Sequence, residues 1–189
     1  MLVDVQAGLL NPGRVAWDDP GIADAVTQAQ RDLLERSRRA GIPVIHVGVR
    51  RPMVRGWLDR PRTEAAAQSG RAPRDVFEMI HEDDCRFLIT PEADEEIVTK
   101  FGVSAFAGTA LDAVLRNLGV DSVIIGGVFT HMAVESTVRA GFDLGYRMIV
   151  PTDASAAPTQ ALHEQSTRAM AAFGRLTTTE DAIEAARDA

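Results

Sequence analysis

Gly126-Gly127-Val128-Phe129-Thr130-His131-Met132-Ala133-Val134-Glu135-Ser136-Thr137 is the stretch on which the reading of this chain turns. The run before it, Ser122-Val123-Ile124-Ile125, is mostly apolar and reads as a central strand buried on both faces. The glycines mark a sharp turn, and a helix is expected from about His131 to Leu144. A strand end, a turn and a helix start form a polar corner. Free N–H groups and the positive end of the helix dipole favour a nucleophile there, and the same donors can hold an oxyanion. The position where a nucleophile would stand carries Ala133.

Working outward, Met1 to Val5 reads as a buried strand with Asp4 near its carboxyl end, followed by a Gly-, Pro- and Asp-rich loop to Asp18-Asp19-Pro20. Ile22, Val26, Ala29, Leu33 and Leu34 recur at helical spacing from Ile22 to Ala40, and Gly41 ends that helix. Pro43 to Val47 is the next expected strand, Ile97 to Lys100 another, and Thr109 to Leu118 a helix closed by Gly119. A strand at Arg147 to Val150, a helix near Gln160 to Ala172 and a last helix capped around Thr178 or Thr179 complete the order. Alternating strands and helices, with strands this apolar, predict one α/β domain over residues 1–189: a three-layer αβα sandwich around a mainly parallel sheet. Ligands in such sheets bind at the carboxyl ends of the strands, where Asp4, Lys100, Gly126 to Ala133 and Asp153 fall.

Lys100 is the only lysine among 20 basic residues; the other 19 are arginine. A composition that removes lysine where either cation serves leaves it where a compact ammonium is needed, which marks Lys100 as a candidate site residue. Net charge is −7 and the pI about 5.1, so the chain lacks the basic footprint of a nucleic-acid or anionic-membrane binder. No segment has the length of a membrane span, and the single Cys85 permits no internal disulfide, so a cytoplasmic location is expected. Residues Arg50 to Pro73 hold six arginines and five prolines or glycines without periodicity, which reads as a lid or as a contact in a homo-oligomer.

Three motifs in order carry a resemblance that covers essentially the whole chain. Asp4-Val5-Gln6, Lys100 followed by Ser104-Ala105-Phe106, and Gly127-Val128-Phe129-Thr130 through Thr137 resemble the isochorismatase-like hydrolase superfamily, with Gly145-Tyr146 to Asp153-Ala154 fitting as well. The resemblance implies that fold and a Cys–Asp–Lys site with Asp4 as base and Lys100 as polarising cation. Ala133 would then stand at the nucleophile position. It further implies a cis peptide between Val128 and Phe129, an oxyanion hole at the N–H groups of Phe129 and Ala133, and a small-molecule substrate touching Thr130, His131 and Phe106. It implies no cofactor. The histidines and aspartate of the metal-binding nicotinamidases are missing from Arg50 to Met79, so no metal is expected.

An alanine methyl can form no thioester. If Ala133 replaces a native cysteine, the expected chemistry is C–N hydrolysis of an amide, ureide or imide. If alanine is native, the isochorismatase branch is the parallel: it shares a histidine two residues before this position, and there Asp4 would protonate a vinyl ether that water then opens. Thr130 and Val134-Glu135-Ser136-Thr137 look more like the amidase side. A catalytically silent ligand-binding or assembly protein is the alternative of another class. Plainer roles stand beside these: Asp4 as a turn cap, His131 as a helix-start donor, Trp17, Trp57 and Phe129 as core, and Glu135 with Arg139 as a helix-surface ion pair. His46, His81 and His163 show no ligand spacing, and Gly126-Gly127 is too short for a dinucleotide fingerprint.

Overall fold

Alternate residues of each central strand enter opposite apolar clusters, and this period of two builds the layers. The computed structural model describes residues 1–13, 15–50 and 85–188, with Glu64 and Gln68. In chain order these residues form β1 (Leu2–Val3), α1 (Ala7–Leu10), α2 (Gly21–Arg39), β2 (Ile45–Val49), β3 (Glu96–Lys100) and α3 (Leu111–Asn117). There follow β4 (Ser122–Ile124), β5 (Gly126–Val128), a π-helical turn (Thr130–Val134), α4 (Glu135–Asp143) and β6 (Arg147–Pro151). A 3₁₀ turn (Thr152–Ala154), β7 (Ser155–Ala156), α5 (Gln160–Met170), β8 (Gly174–Thr177) and α6 (Ala182–Arg187) complete the order. Leu2, Ile124 and Ile149 pack with Val26, Leu33 and Leu34 of α2 and with Ala182 and Ala185 of α6. Their neighbours Val3, Val123, Ile125, Met148 and Val150 pack with Leu111 and Leu115 of α3, Val138 of α4 and Met170 of α5.

Among the described residues every strand pairing is parallel, in the orders β3-β2-β1-β5-β7 and β4-β6-β8. Only Ile125 separates β4 from β5. Its N–H donates to Ile149 O at 2.9 Å, and the Met1 amino group donates to Ile124 O at 2.8 Å, so the two sets join along one path. Strand order reverses at β1 and β5. The crevice beyond their carboxyl ends is where a sheet of this topology receives a ligand.

Several elements differ from the sequence reading. Gly126 and Gly127 continue the strand as β5 instead of leaving it, and the helix expected from His131 opens with a π turn before α4. The second strand is Ile45–Val49, not Pro43 to Val47, because its register sets Val47 against Val3 and Val49 against Lys100. Ala7–Leu10 is a short helix inside the expected loop, and α6 begins only at Ala182, after a turn in which Thr178 Oγ1 donates to Asp181 Oδ2 at 3.0 Å. β8 was not expected at all: Gly174-Arg175-Leu176-Thr177 is short and only partly buried, with no apolar alternation to announce it. Of the segment Arg50 to Pro73, read as a lid or oligomer contact, all but Arg50, Glu64 and Gln68 lies outside the described residues. No helix among the described residues is long and apolar enough to cross a membrane.

At the amino-terminal end of the sheet, Arg38 Nε and Nη2 donate to both carboxylate oxygens of Glu95, at 2.7 and 2.9 Å. The His46 ring lies 2.9 Å from Glu95 Oε2, which also accepts the Glu92 N–H at 2.8 Å. Burial pulls the Glu95 carboxyl upward, but Arg38, the Glu92 N–H and His46 outweigh it and hold it down at about 2. Burial also lowers His46, against the opposing pull of Glu95. Both groups therefore bind fewer protons folded than unfolded, and acid favours the unfolded chain. The His46 contribution is present above its ordinary value of 6.5 and fades below it. That of Glu95 is present above 4.5 and is lost as pH falls towards about 2. We expect Glu95→Gln to lower stability at neutral pH by up to about 3 kcal/mol and to flatten the acid limb. Urea midpoints at pH 7, 5 and 3 test this; a parallel downward shift at all three would contradict it.

Candidate active site

Asp4 leaves β1 with φ of 60°, a left-handed conformation that aspartate tolerates better than most side chains. Its N–H is fixed on Val47 O at 2.8 Å, so the turn presents the carboxylate at the end of the neighbouring strand. Lys100 is the last residue of β3, and its ammonium nitrogen lies 2.8 Å from Asp4 Oδ2. The same nitrogen donates to Gly102 O at 3.1 Å and Val103 O at 2.9 Å. An ammonium has three N–H bonds, and all three are used. The side chains of Lys100 and Asp4 are only 3% and 8% exposed, so this is an ion pair removed from water.

Gln6, two residues on, makes the corner rigid. Its amide accepts from Val49 N at 2.9 Å and donates to Val49 O at 3.0 Å and to Cys85 O. Gly48 lies beside this latch, where a Cβ would stand 2.8 Å from the Phe87 ring and 3.0 Å from Gln6 Nε2. Cys85 thus reaches the site region through its carbonyl; its half-buried thiol is free.

On the other side of the crevice the peptide bond between Val128 and Phe129 is cis, and the chain enters the π turn at Thr130. Ala133 is buried in that turn and shares an apolar cluster with Val3, Val98 and Ala105, close in sequence to Asp4 and Lys100. Hydrogen bonds from outside hold the turn. Thr130 Oγ1 meets His163 Nδ1 at 2.9 Å, and Ser166 Oγ bonds both Thr130 O and Glu135 Oε2. Thr137 Oγ1 donates to Ala133 O at 2.6 Å and accepts from Ala105 N at 2.9 Å. Arg139 completes the set by donating twice to Glu135 Oε1, the expected helix-surface pair extended inward by Ser166.

The tilted rings of His131 and Phe129 lie 6.0 Å apart between centroids, and Trp17 stands 5.9 Å from Phe129. Burial holds His131 below its usual range, against a weaker upward pull from Glu135. Its Nδ1 is buried without a hydrogen-bond partner among the described residues. Phe106 packs against the apolar cluster that holds Ala133, its ring stacked on Tyr146 at 5.8 Å. Asp153, at the carboxyl end of β6, accepts Thr179 N at 2.8 Å and serves the turn before α6. Sequence reasoning passed over Gln6 as a separate element of the site, and also His163 and Ser166, whose partners lie across helices with no local signal. Among the described residues no three His, Cys, Asp or Glu side chains are placed to hold a metal ion.

The family model described as the isochorismatase domain matches residues 1–181. An uncharacterized isochorismatase family protein of Bacillus subtilis, YwoC, is 37% identical over 128 residues, 66% of this chain and 65% of that one. Streptothricin hydrolase of Streptomyces noursei is 30% identical over 156 residues, 82% of this chain. The chain spans about half, 53%, of that relative's length. A solved cysteine hydrolase from Pseudomonas syringae pv. phaseolicola superposes with a TM-score of 0.80 at 30% identity, covering 99% of this chain and 91% of that one.

Removing one member of a buried pair leaves the other charge without its partner, a change worth about 3–5 kcal/mol. Lys100→Met also strips Gly102 and Val103 of their donor. We expect it to destabilise the fold by about that amount, with a smaller loss in the double variant Lys100→Met, Asp4→Leu. Denaturant titration of both checks this, and equal losses would show that the charges do not act as a pair.

Proposed function

The chain belongs to the isochorismatase family, whose members are hydrolases, and from that premise we propose that it hydrolyses a small molecule in the crevice around Asp4 and Lys100, with water and not a side chain as the nucleophile. The observation that carries this reading is the buried Asp4–Lys100 pair beside a helical turn whose nucleophile position holds only a methyl group. Lys100 has no N–H left for a substrate, so its part is to fix and charge-balance Asp4. Asp4 is the proton carrier. With an enol ether as substrate, the Asp4 carboxylate first takes a proton from solvent; the carboxyl so formed protonates the terminal carbon of the double bond and an oxocarbenium ion forms. Water adds to the cationic carbon and returns a proton to the Asp4 carboxylate. The resulting hemiketal then breaks its C–O bond to give a ketone and an alcohol. No covalent enzyme intermediate is needed at Ala133.

The second reading is C–N hydrolysis of an amide, ureide or imide, in a form where cysteine occupies position 133. Its support lies in the hydrolases of Streptomyces noursei and Pseudomonas syringae that this chain resembles, and in Thr130 with Val134 to Thr137. There Asp4 would take the thiol proton and the thiolate would attack the carbonyl carbon.

One variant set separates the chemistries. Against a panel of enol ethers, Asp4→Asn should lower turnover about 10²–10⁴-fold, the usual worth of a positioned proton carrier. Ala133→Cys should leave that reaction nearly unchanged. Lys100→Arg should cut it by more than about tenfold, because a planar fork cannot reproduce three bonds converging on one nitrogen. If Ala133→Cys instead creates amidase activity, with an acyl-enzyme visible by mass spectrometry, the second reading holds. No turnover of any substrate by the parent or by Ala133→Cys would leave a ligand-binding protein.

A further inference from the structure

One hydroxyl joins the two halves of the site. Thr137, on the first turn of α4, is wholly buried, and its Oγ1 lies between backbone groups of two different segments. It donates to Ala133 O at 2.6 Å and accepts from Ala105 N at 2.9 Å. A carbonyl only accepts and an amide N–H only donates, so the direction of both bonds is fixed. Ala105 stands two residues beyond Val103, whose carbonyl, with that of Gly102, takes two of the three Lys100 N–H bonds. Thr109 Oγ1 donates to Ala105 O at 2.6 Å, so both polar groups of residue 105 are bound.

We propose that Thr137 is a positioning residue of the site, which keeps the carbonyls around Lys100 in register with the turn that carries position 133. Packing alone does not call for a hydroxyl here. Ala105 and Ala133, the residues it touches, belong to one apolar cluster, and valine would fill the same outline. A hydroxyl in such surroundings loses its water, and the two bonds it makes offset that loss.

The start of the turn is tied elsewhere: His163 and Ser166 hold Thr130 against α5. The tie at Ala133 O continues through Thr137 into the loop around Lys100. If that loop shifts, Gly102 O and Val103 O shift with it, and the ammonium that fixes Asp4 loses its geometry. Reactions between positioned groups are sensitive to such displacement, about 10²-fold in rate for a misplacement of about 1 Å. This inference rests on reading the crevice around Asp4 and Lys100 as the site of reaction, but its first test needs no turnover.

Lys100 is the only lysine, so the full chain labelled with ¹⁵N at lysine gives a single side-chain ammonium signal. Thr137→Val keeps the outline and removes the hydroxyl, whereas Thr137→Ser keeps the hydroxyl. The valine variant should shift the Lys100 signal and speed exchange of its ammonium protons about tenfold, the usual effect of one lost hydrogen bond. The serine variant should restore both. Val138→Ala, at the next position of α4 and in the same apolar cluster, should lower stability and leave the signal in place. An unmoved Lys100 signal in a folded Thr137→Val overturns the proposal. So does an equal shift in Val138→Ala, which would mark a general loosening of the core, or a serine variant that behaves like the valine one. Should Thr137→Val fail to fold, Ala133→Gly decides from the other end of the tie: it should move the Lys100 signal, and an unmoved signal overturns the proposal. With the enol ethers, Thr137→Val should lower kcat by up to about 10²-fold at nearly unchanged KM. A Lys100 signal that responds as expected in a protein without turnover keeps the positioning role and loses the hydrolase reading; an active enzyme whose Lys100 signal ignores Thr137→Val does the reverse.

Discussion

A lysine and an aspartate in contact inside a protein must earn their desolvation through geometry, and much of this molecule is arranged around that need. Asp4 and Lys100 end strands separated by β2, a gap of about 10 Å at ordinary strand spacing, which only extended side chains can close. The chain after β3 bends so that Gly102 and Val103 turn their carbonyls to the ammonium, and Asp4 takes a left-handed backbone to face it. Gln6 ties the same corner to Val49 and Cys85. Three bonds converging on one nitrogen explain why lysine persists here in a chain that elsewhere uses arginine. A guanidinium spreads its donors over a plane and would leave a carbonyl unmet or displace Asp4.

The second constraint is steric and acts on β5. A Cβ at Gly127 would lie 2.1 Å from Val3 O, and one at Gly126 would lie 2.8 Å from Ala154 O. Gly127 also has φ of 147°, which side chains rarely adopt. Only glycine lets the chain pass this close to β1 at the point where strand order reverses. The close approach brings the π turn to the crevice that Asp4 and Lys100 border, so the two halves of the site meet because two side chains are missing.

The sequence was legible where periodicity and punctuation agree. The stretch from Ile22 to Ala40 differs from α2 by one residue at each end, and Gly41 and Gly119 lie in the left-handed conformation that ends a helix. Lys100 stood out by composition, and Asp4 by its place at a strand end. Legibility failed where tertiary pairing overrides local pattern. β8 is strand because it pairs with β6, and β5 is strand although two of its three residues are glycines, because β1 and β7 hold it. The polar support of the π turn was hidden for the same reason: His163 and Ser166 lie about thirty residues from their partners, and nothing local marks them. Phe106 shows the converse, a residue singled out by motif whose ring is engaged in packing on Tyr146.

Ala133 brings these constraints together. The bonds that shape its turn run through Thr130, the carbonyl of residue 133 and Glu135, and none involves the side chain at 133. The turn is therefore defined without a nucleophile, and its geometry does not depend on whether a methyl or a thiol projects from it. Strand topology places the crevice and the glycine pair lets the turn approach it, while Asp4 and Lys100 form a buried ion pair at its border. Between the two proposed readings, it is the side chain at 133 that separates water attack from thiolate attack. A change of one sulfur atom would then alter the reaction and leave the fold as it is, since the energetic demands of this corner fall on Lys100, Asp4 and the two glycines.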